Sequence, residues 1–162
     1  MTITYSPEER QKWLGSLHRT PASATVLLEN NKGELLIVRS NYRTYWTTPG
    51  GVIDAGESPK EAALREVAEE VCIHLPPEEV QFVGVVYRTS ELLATYQFLF
   101  AAKLTDEMAS SIVLQASEIE EHALVSKTEV QQEDRQYAAR IKKWAANDVL
   151  DYDEEMIQFS SE

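Results

Sequence analysis

The segment Gly51–Ile73, GVIDAGESPKEAALREVAEEVCI, constrains this chain more than any other. It joins a turn-rich loop to a helix carrying Arg65-Glu66-Val67-Ala68-Glu69-Glu70. Ser58-Pro59-Lys60-Glu61 opens the helix with an N-cap Ser, Pro at the first helical position and Glu three residues after the cap. Ala62, Ala63, Leu64, Val67, Ala68 and Val71 give it an apolar face that must lie against a core. Glu66 and Glu70 are four apart and share one face, about 6 Å along the axis, with Glu69 beside them. At an effective dielectric near 20, two such charges about 4 Å apart repel by roughly 4 kcal/mol. Arg65 can relieve Glu69 at i,i+4, but one guanidinium does not neutralise three carboxylates. A hard divalent cation does, and magnesium fits because it accepts a few carboxylates and keeps waters for substrate phosphates. Taken alone, the acidic helix also reads as a solvated face. The loop shifts that balance: Gly50 and Gly51 allow a sharp turn that frees a carbonyl to face a metal, and Glu57 adds a carboxylate at the loop exit.

The remaining elements follow from local signals. Ser6-Pro7-Glu8-Glu9 starts a helix that runs to about Leu17. Thr25–Glu29 and Glu34–Arg39 are apolar β-compatible runs joined by Asn30-Asn31-Lys32-Gly33, which predicts a hairpin. Tyr45-Trp46-Thr47 is a short extended piece that ends at Pro49-Gly50-Gly51. Strands are predicted over 80–88, 95–104 and 119–125. Ser126-Lys127-Thr128-Glu129 opens a final helix reaching about Asn147, with Tyr137, Ile141 and Trp144 as its inner stripe. The order predicts an α/β (α+β) fold with a mixed sheet between helices, as one domain over 1–162.

The segment resembles the signature of the Nudix hydrolases, G-x5-E-x7-R-E-U-x-E-E-x-G-U with U a bulky apolar residue. Gly51 matches the first glycine and Glu57 the spaced glutamate. Arg65, Glu66, Val67, Glu69, Glu70 and Ile73 match the rest, and Cys72 stands where the pattern has Gly. A Gly there ends the helix in the left-handed conformation, which costs another residue roughly 1–2 kcal/mol. The alternative is a helix that ends differently, at Pro76-Pro77. Cys72 itself reads as a buried, inert thiol.

The resemblance implies a Nudix-like α/β/α sandwich. It also implies hydrolysis of a nucleoside diphosphate linked to another moiety, with Mg²⁺ (or Mn²⁺). By that resemblance Glu66 and Glu70 are the principal metal ligands, and Glu69 is a further ligand or a catalytic group that orients water. Glu57 is an outer ligand or partner of Arg65, Gly51 offers its carbonyl, and Arg65 orients the glutamates. The catalytic base in such enzymes often lies outside the signature, near the last strand, and Glu118 is the candidate here, with Glu120 and Glu121 nearby. The competing role for these three is a solvated loop.

Substrate candidates are local cations and aromatics: Arg39, Arg43 and Trp46 before or near the glycine loop, and Arg88 at the end of a later strand. Tyr42, Tyr45, Trp46 and Tyr87 suit base stacking, although packing explains an aromatic near a strand end more often. Nucleoside triphosphates, nucleotide sugars, ADP-ribose and dinucleoside polyphosphates all stay open. Retention of all four signature glutamates favours a hydrolase over a catalytically silent nucleotide-binding or regulatory domain of the same fold. An isomerase-type member would need a cysteine in the early strands, and Cys72 is the only one.

Composition narrows partners. A formal charge of −12 disfavours a nucleic-acid polymer. The single cysteine excludes an intrachain disulfide, and no apolar run is long enough for a membrane span. The N-terminus has no signal-peptide pattern, so a cytoplasmic protein is expected. A homodimer is compatible with the resemblance. Residues 148–162 read as an acidic tail, a solvated segment or frayed helix; partner docking through Met156, Ile157 and Phe159 is the competing reading.

Overall fold

The computed structural model describes residues 5–132 and 135–156. Helix α1 spans Pro7–Ser16 and carries the reciprocal Ser6/Glu9 capping box, but buries none of its residues. Strands β1 (Ala22–Asn30) and β2 (Glu34–Ser40) form the expected antiparallel hairpin. The short strand β3 (Gly50–Val52) leads into α2 (Pro59–Val71), which opens on the Ser58/Glu61 capping box. Next come a 3-10 turn at Pro77–Glu79, β4 (Gln81–Thr89), β5 (Ala94–Leu104), α3 (Asp106–Ser110) and β6 (Ile119–Ser126). Two short helices, α4 (Lys127–Gln131) and α5 (Ala139–Ala146), precede the last strand β7 (Tyr152–Met156).

The strands form one mixed sheet in the order β6-β2-β1-β5-β4-β7, with β3 paired to β1. β1 and β5 run parallel, as do β4 and β7, and the other pairs are antiparallel. Strand alternation sorts side chains to two cores. Val26, Leu28, Leu36 and Val38 point to the face covered by Ala62, Ala63, Val67 and Val71 of α2. Leu27, Leu35, Ile37 and Leu99 point to the opposite face, under Ile141, Trp144 and Ala145 of α5. Each fully buried aliphatic side chain contributes about 1.5–3 kcal/mol, so both faces of the sheet demand a helical cover. The result is the expected α/β/α sandwich. No helix among the described residues is long and apolar enough to cross a membrane.

Three expectations are corrected. The continuous helix from Ser126 to about Asn147 is two helices. Between them Tyr137 pairs with Trp46 as a parallel bridge: Trp46 N–H donates to the Gln136 carbonyl at 2.8 Å, and Ala138 N–H donates to the Trp46 carbonyl at 2.9 Å. Backbone groups committed to that bridge cannot serve a helix, and the tertiary contact overrides local propensity. Tyr137, Ile141 and Trp144 are nonetheless all buried.

The acidic tail is neither solvated coil nor frayed helix as far as Met156. It adds β7 beside β4, in register from Val85↔Tyr152 to Thr89↔Met156. Two of its charges are matched: Asp153 pairs with Lys143, and Glu155 with Arg88 at 3.1 Å. Met156 is exposed, while Ile157 and Phe159 lie outside the described residues.

Cys72 is exposed rather than buried. The helix does end there, with Cys72 left-handed at φ 59° and its N–H bonded to the Ala68 carbonyl at 3.1 Å. A residue just past the last turn projects away from the apolar face, which is why the thiol meets solvent.

Candidate active site

The site is built where β3 turns into the loop before α2. β3 lies against β1 through Ser23↔Val52, Ala24↔Gly51 and Thr25↔Gly50. The approach at Gly50 is so close that a Cβ would fall 2.3 Å from the Ala24 carbonyl oxygen and 2.6 Å from Thr25 Cα. Thr25 Oγ1 donates to the Pro49 carbonyl at 2.6 Å and fixes the same turn. Only glycine permits this packing, and it brings the Gly50 N–H to Glu70 Oε2 at 2.9 Å.

Glu70 is 4% exposed. Burial pushes its carboxyl up to about 8; the Gly50 hydrogen bond opposes the rise, and the charges of Glu66 and Glu118 add to it. Glu66 is also pushed up by burial, against the pull of Arg65. Its carboxylate occupies the space above Gly51, where a Cβ would sit 2.3 Å from Oε1. The two glycines therefore have different tasks: Gly50 clears backbone, and Gly51 clears a carboxylate.

Arg65 fastens the loop to the helix. Its Nε and Nη2 donate to the two oxygens of Glu57 at 2.9 and 3.0 Å. Nη1 donates to Glu66 Oε1 at 2.7 Å and Glu69 Oε2 at 3.1 Å, and Nη2 to the Val52 carbonyl at 3.0 Å. All five N–H donors are thus used. Hydrogen bonding to Arg65, then to the Asp54 N–H, holds the Glu57 carboxyl below its usual range.

Glu118 sits on the turn that follows Gln115, whose N–H donates to the Glu70 carbonyl at 3.1 Å. Its charge acts on both Glu66 and Glu70, and Tyr42 Oη donates to its Oε1 at 3.3 Å. Glu120 and Glu121 instead pair with Arg39 at 2.8 and 3.1 Å.

A cavity of about 220 Å³ opens beside Gly50 and Gly51. Arg43, Arg88 and Tyr45 line it, whereas Arg39 and Trp46 do not. Arg39 lies over the Trp46 ring at 5.9 Å, and Trp46 is buried against the α5 side. Arg140 also lines the cavity, and sequence reasoning missed it. It is 7% exposed and donates to Thr47 Oγ1, to Thr48 Oγ1 at 2.8 Å and to Gln97 Oε1 at 2.7 Å. The available signal was a cation within the apolar stripe Tyr137, Ile141, Trp144.

The donor set fits a hard divalent cation. It consists of carboxylate oxygens pushed up first by burial and then by neighbouring carboxylates at Glu66 and Glu70, beside a glycine that leaves room for one of them. As they stand, no three acidic side chains among the described residues already converge on one point. Arg65 and the Gly50 N–H hold the oxygens that a cation would share.

A family model described as NUDIX domain matches residues 19–146. The RNA pyrophosphohydrolase of Marinomonas sp. (strain MWYL1) is 39% identical over 59 residues, covering 36% of this chain and 35% of that protein. The matched part is thus about a third of that curated relative's length. A solved MutT protein from Methanosarcina mazei Go1 superposes with a TM-score of 0.64 at 26% identity, over 82% of this chain and 95% of that one. The NUDIX domain of Shewanella oneidensis NrtR, solved with ADP ribose, gives a TM-score of 0.65 at 16% identity, over 88% and 92% of the two chains. At that identity the likeness is one of fold.

Proposed function

This chain belongs to the NUDIX family, and we propose that it is a divalent-metal-dependent pyrophosphohydrolase acting on a nucleoside diphosphate linked to another moiety. The observation that carries the reading is the pair of carboxylates packed on adjacent glycines: Glu70 on the Gly50 N–H and Glu66 over Gly51. Burial disfavours both charges, and a shared cation would offset that cost.

Glu66 and Glu70 hold the metal, with the Gly51 carbonyl as a further donor and Glu69 beside them. Magnesium, when bound, supplies charge screening of the pyrophosphate and a more acidic water. Arg65 keeps Glu57, Glu66 and Glu69 oriented on one helix edge. Glu118 is the candidate general base, because it faces the carboxylate pair from a separate element and has only a weak contact with Tyr42. Arg43 and Arg88 contact the substrate's phosphates, whereas the placement of Arg39 and Trp46 gives no support to such a role.

The test is hydrolysis of nucleoside triphosphates, nucleotide sugars, ADP-ribose and dinucleoside polyphosphates with Mg²⁺, with Mn²⁺ and in EDTA. Metal-dependent turnover of at least one class is expected. Silence across all of them, with nucleotide binding retained, would replace the proposal with a non-catalytic binding domain. A small nucleotide suits the net charge of −12 better than a polymer does.

A further inference from the structure

We propose that the cavity beside the glycine loop is a cationic subsite for the terminal phosphate of a polyphosphate chain. It would select substrates with a charged end, such as nucleoside triphosphates, over those whose far end is a neutral sugar. This deepens the hydrolase reading and rests on it.

The first argument is charge. Arg43, Arg88 and Arg140 all line the cavity, and a single carboxylate, Glu155, is paired among them, with Arg88. Arg43 has no carboxylate at ion-pair distance among the described residues. Its guanidinium instead stacks over Tyr42 and Tyr45, at 5.2 and 5.7 Å from the ring centroids. The bonds described for Arg140 run to neutral groups only: two threonine hydroxyls and the Gln97 oxygen. A buried charge is usually paired with an opposite one, and Arg140 is held by neutral acceptors instead. Three arginines with one ion-paired carboxylate among them, in a protein of net charge −12, make a local positive patch beside the carboxylate centre that attracts anions.

The second argument is geometry. Nη1 of Arg140 and Nη1 of Arg88 converge on the same Gln97 Oε1, at 2.7 and 3.5 Å. The longer contact is at the limit of a hydrogen bond, so that Arg88 donor is free to turn to a better acceptor. Planar guanidinium forks match phosphate oxygens in pairs. Arg43 also acts electrostatically on both Glu70 and Arg140, so its charge reaches the carboxylate centre and the buried cation alike.

The third argument is size and position. At about 220 Å³ the cavity is below the roughly 300–1,000 Å³ of pockets that enclose a whole ligand. It receives one end of a substrate. Because Gly50 and Gly51 form its wall, that end lies next to the bond that the carboxylate side would cleave.

The test separates binding from turnover. Inorganic tripolyphosphate is titrated calorimetrically into wild type, Arg43→Ala, Arg88→Ala and Arg140→Lys, all in EDTA. Binding to wild type should weaken ten-fold or more in Arg43→Ala and Arg88→Ala. Arg43→Ala breaks no ion pair, so it keeps the test valid if Arg140→Lys or Arg88→Ala loses its fold. With Mg²⁺, the same two variants should raise KM for a nucleoside triphosphate ten-fold or more, and raise KM for a nucleotide sugar, whose far end carries no phosphate, by a clearly smaller factor. No binding to wild type, or equal binding by Arg43→Ala, overturns the subsite. Tight, arginine-dependent tripolyphosphate binding without any Mg²⁺-dependent turnover upholds the subsite and overturns the hydrolase reading.

Discussion

The buried carboxylate of Glu70 accepts the backbone N–H of Gly50 at 2.9 Å, and so locks the last turns of α2 to the strand that carries the glycine pair. This contact places a charge that burial disfavours next to the charges of Glu66 and Glu118. Glu70→Gln keeps an acceptor for Gly50 and removes the charge. We expect kcat/KM to fall about 10³-fold or more, by loss of a ligand to the metal that stabilises transition-state charge, with the circular dichroism spectrum unchanged. Full Mg²⁺-dependent activity in this variant would sink the ligand assignment.

The same carboxylate makes metal-free stability depend on pH. Its folded-state value, near 8, is above the ordinary 4.5, so folding favours the protonated form. The stability linked to this proton is fully present below about 4.5 and is lost as pH rises through 8. In EDTA between pH 5 and 8, wild type should lose on the order of a few kcal/mol relative to Glu70→Gln. Mg²⁺ at pH 8 should restore it in wild type alone. Thermal denaturation of both proteins across this range checks the sign, and parallel curves would refute it.

Neighbouring glycines should fail differently. Gly50→Ala drives a methyl into the Ala24 carbonyl and Thr25 backbone, so folding itself should suffer, by about 3 kcal/mol or more. The nearest atoms that Gly51→Ala meets belong to the Glu66 carboxylate, the far end of a side chain that can swing away. That variant should fold with a near-native Tm and lose activity ten-fold or more. Equal Tm losses in the two variants would contradict the division of tasks.

Arg65→Lys tests the fastening role. A lysine ammonium cannot reproduce five donors spread over Glu57, Glu66, Glu69 and Val52. Expected is a 10–100-fold loss in kcat or in metal affinity, as for residues that orient metal ligands. Wild-type Mg²⁺ dependence together with wild-type kcat would show that the network is ornamental.

Cys72→Gly should stabilise the protein, because a non-glycine residue there occupies the left-handed region. A gain of about 1 kcal/mol corresponds to a rise of roughly 2–4 °C in Tm for a chain of this size. The native thiol should also react with a water-soluble disulfide reagent without denaturant, since it is exposed. A protected thiol would contradict the described helix end.

What the sequence revealed was local or short-range. The three capping boxes at Ser6, Ser58 and Ser126 form as read, because a cap is decided within four residues. The carboxylate face of α2 follows from helical spacing, and the hairpin from its turn. What stayed hidden depends on distant partners. The break before Tyr137 exists because Trp46 claims that backbone. β7 exists because β4 leaves an edge for it. Arg140 is a cavity residue because Thr47, Thr48 and Gln97, from three other stretches of chain, meet it there. Periodicity alone leaves such a cation as an anomaly in an apolar stripe.

The β7–β4 pairing has a practical consequence for anyone handling the protein. Glu155 reaches Arg88 only because the last strand lies in register beside it. Trimming the chain before Tyr152, or fusing a bulky tag that peels this strand away, would remove the carboxylate that pairs with Arg88. A preparation altered in this way would report the affinity of a more cationic cavity. Activity comparisons between differently terminated preparations should therefore be read as comparisons between different sites.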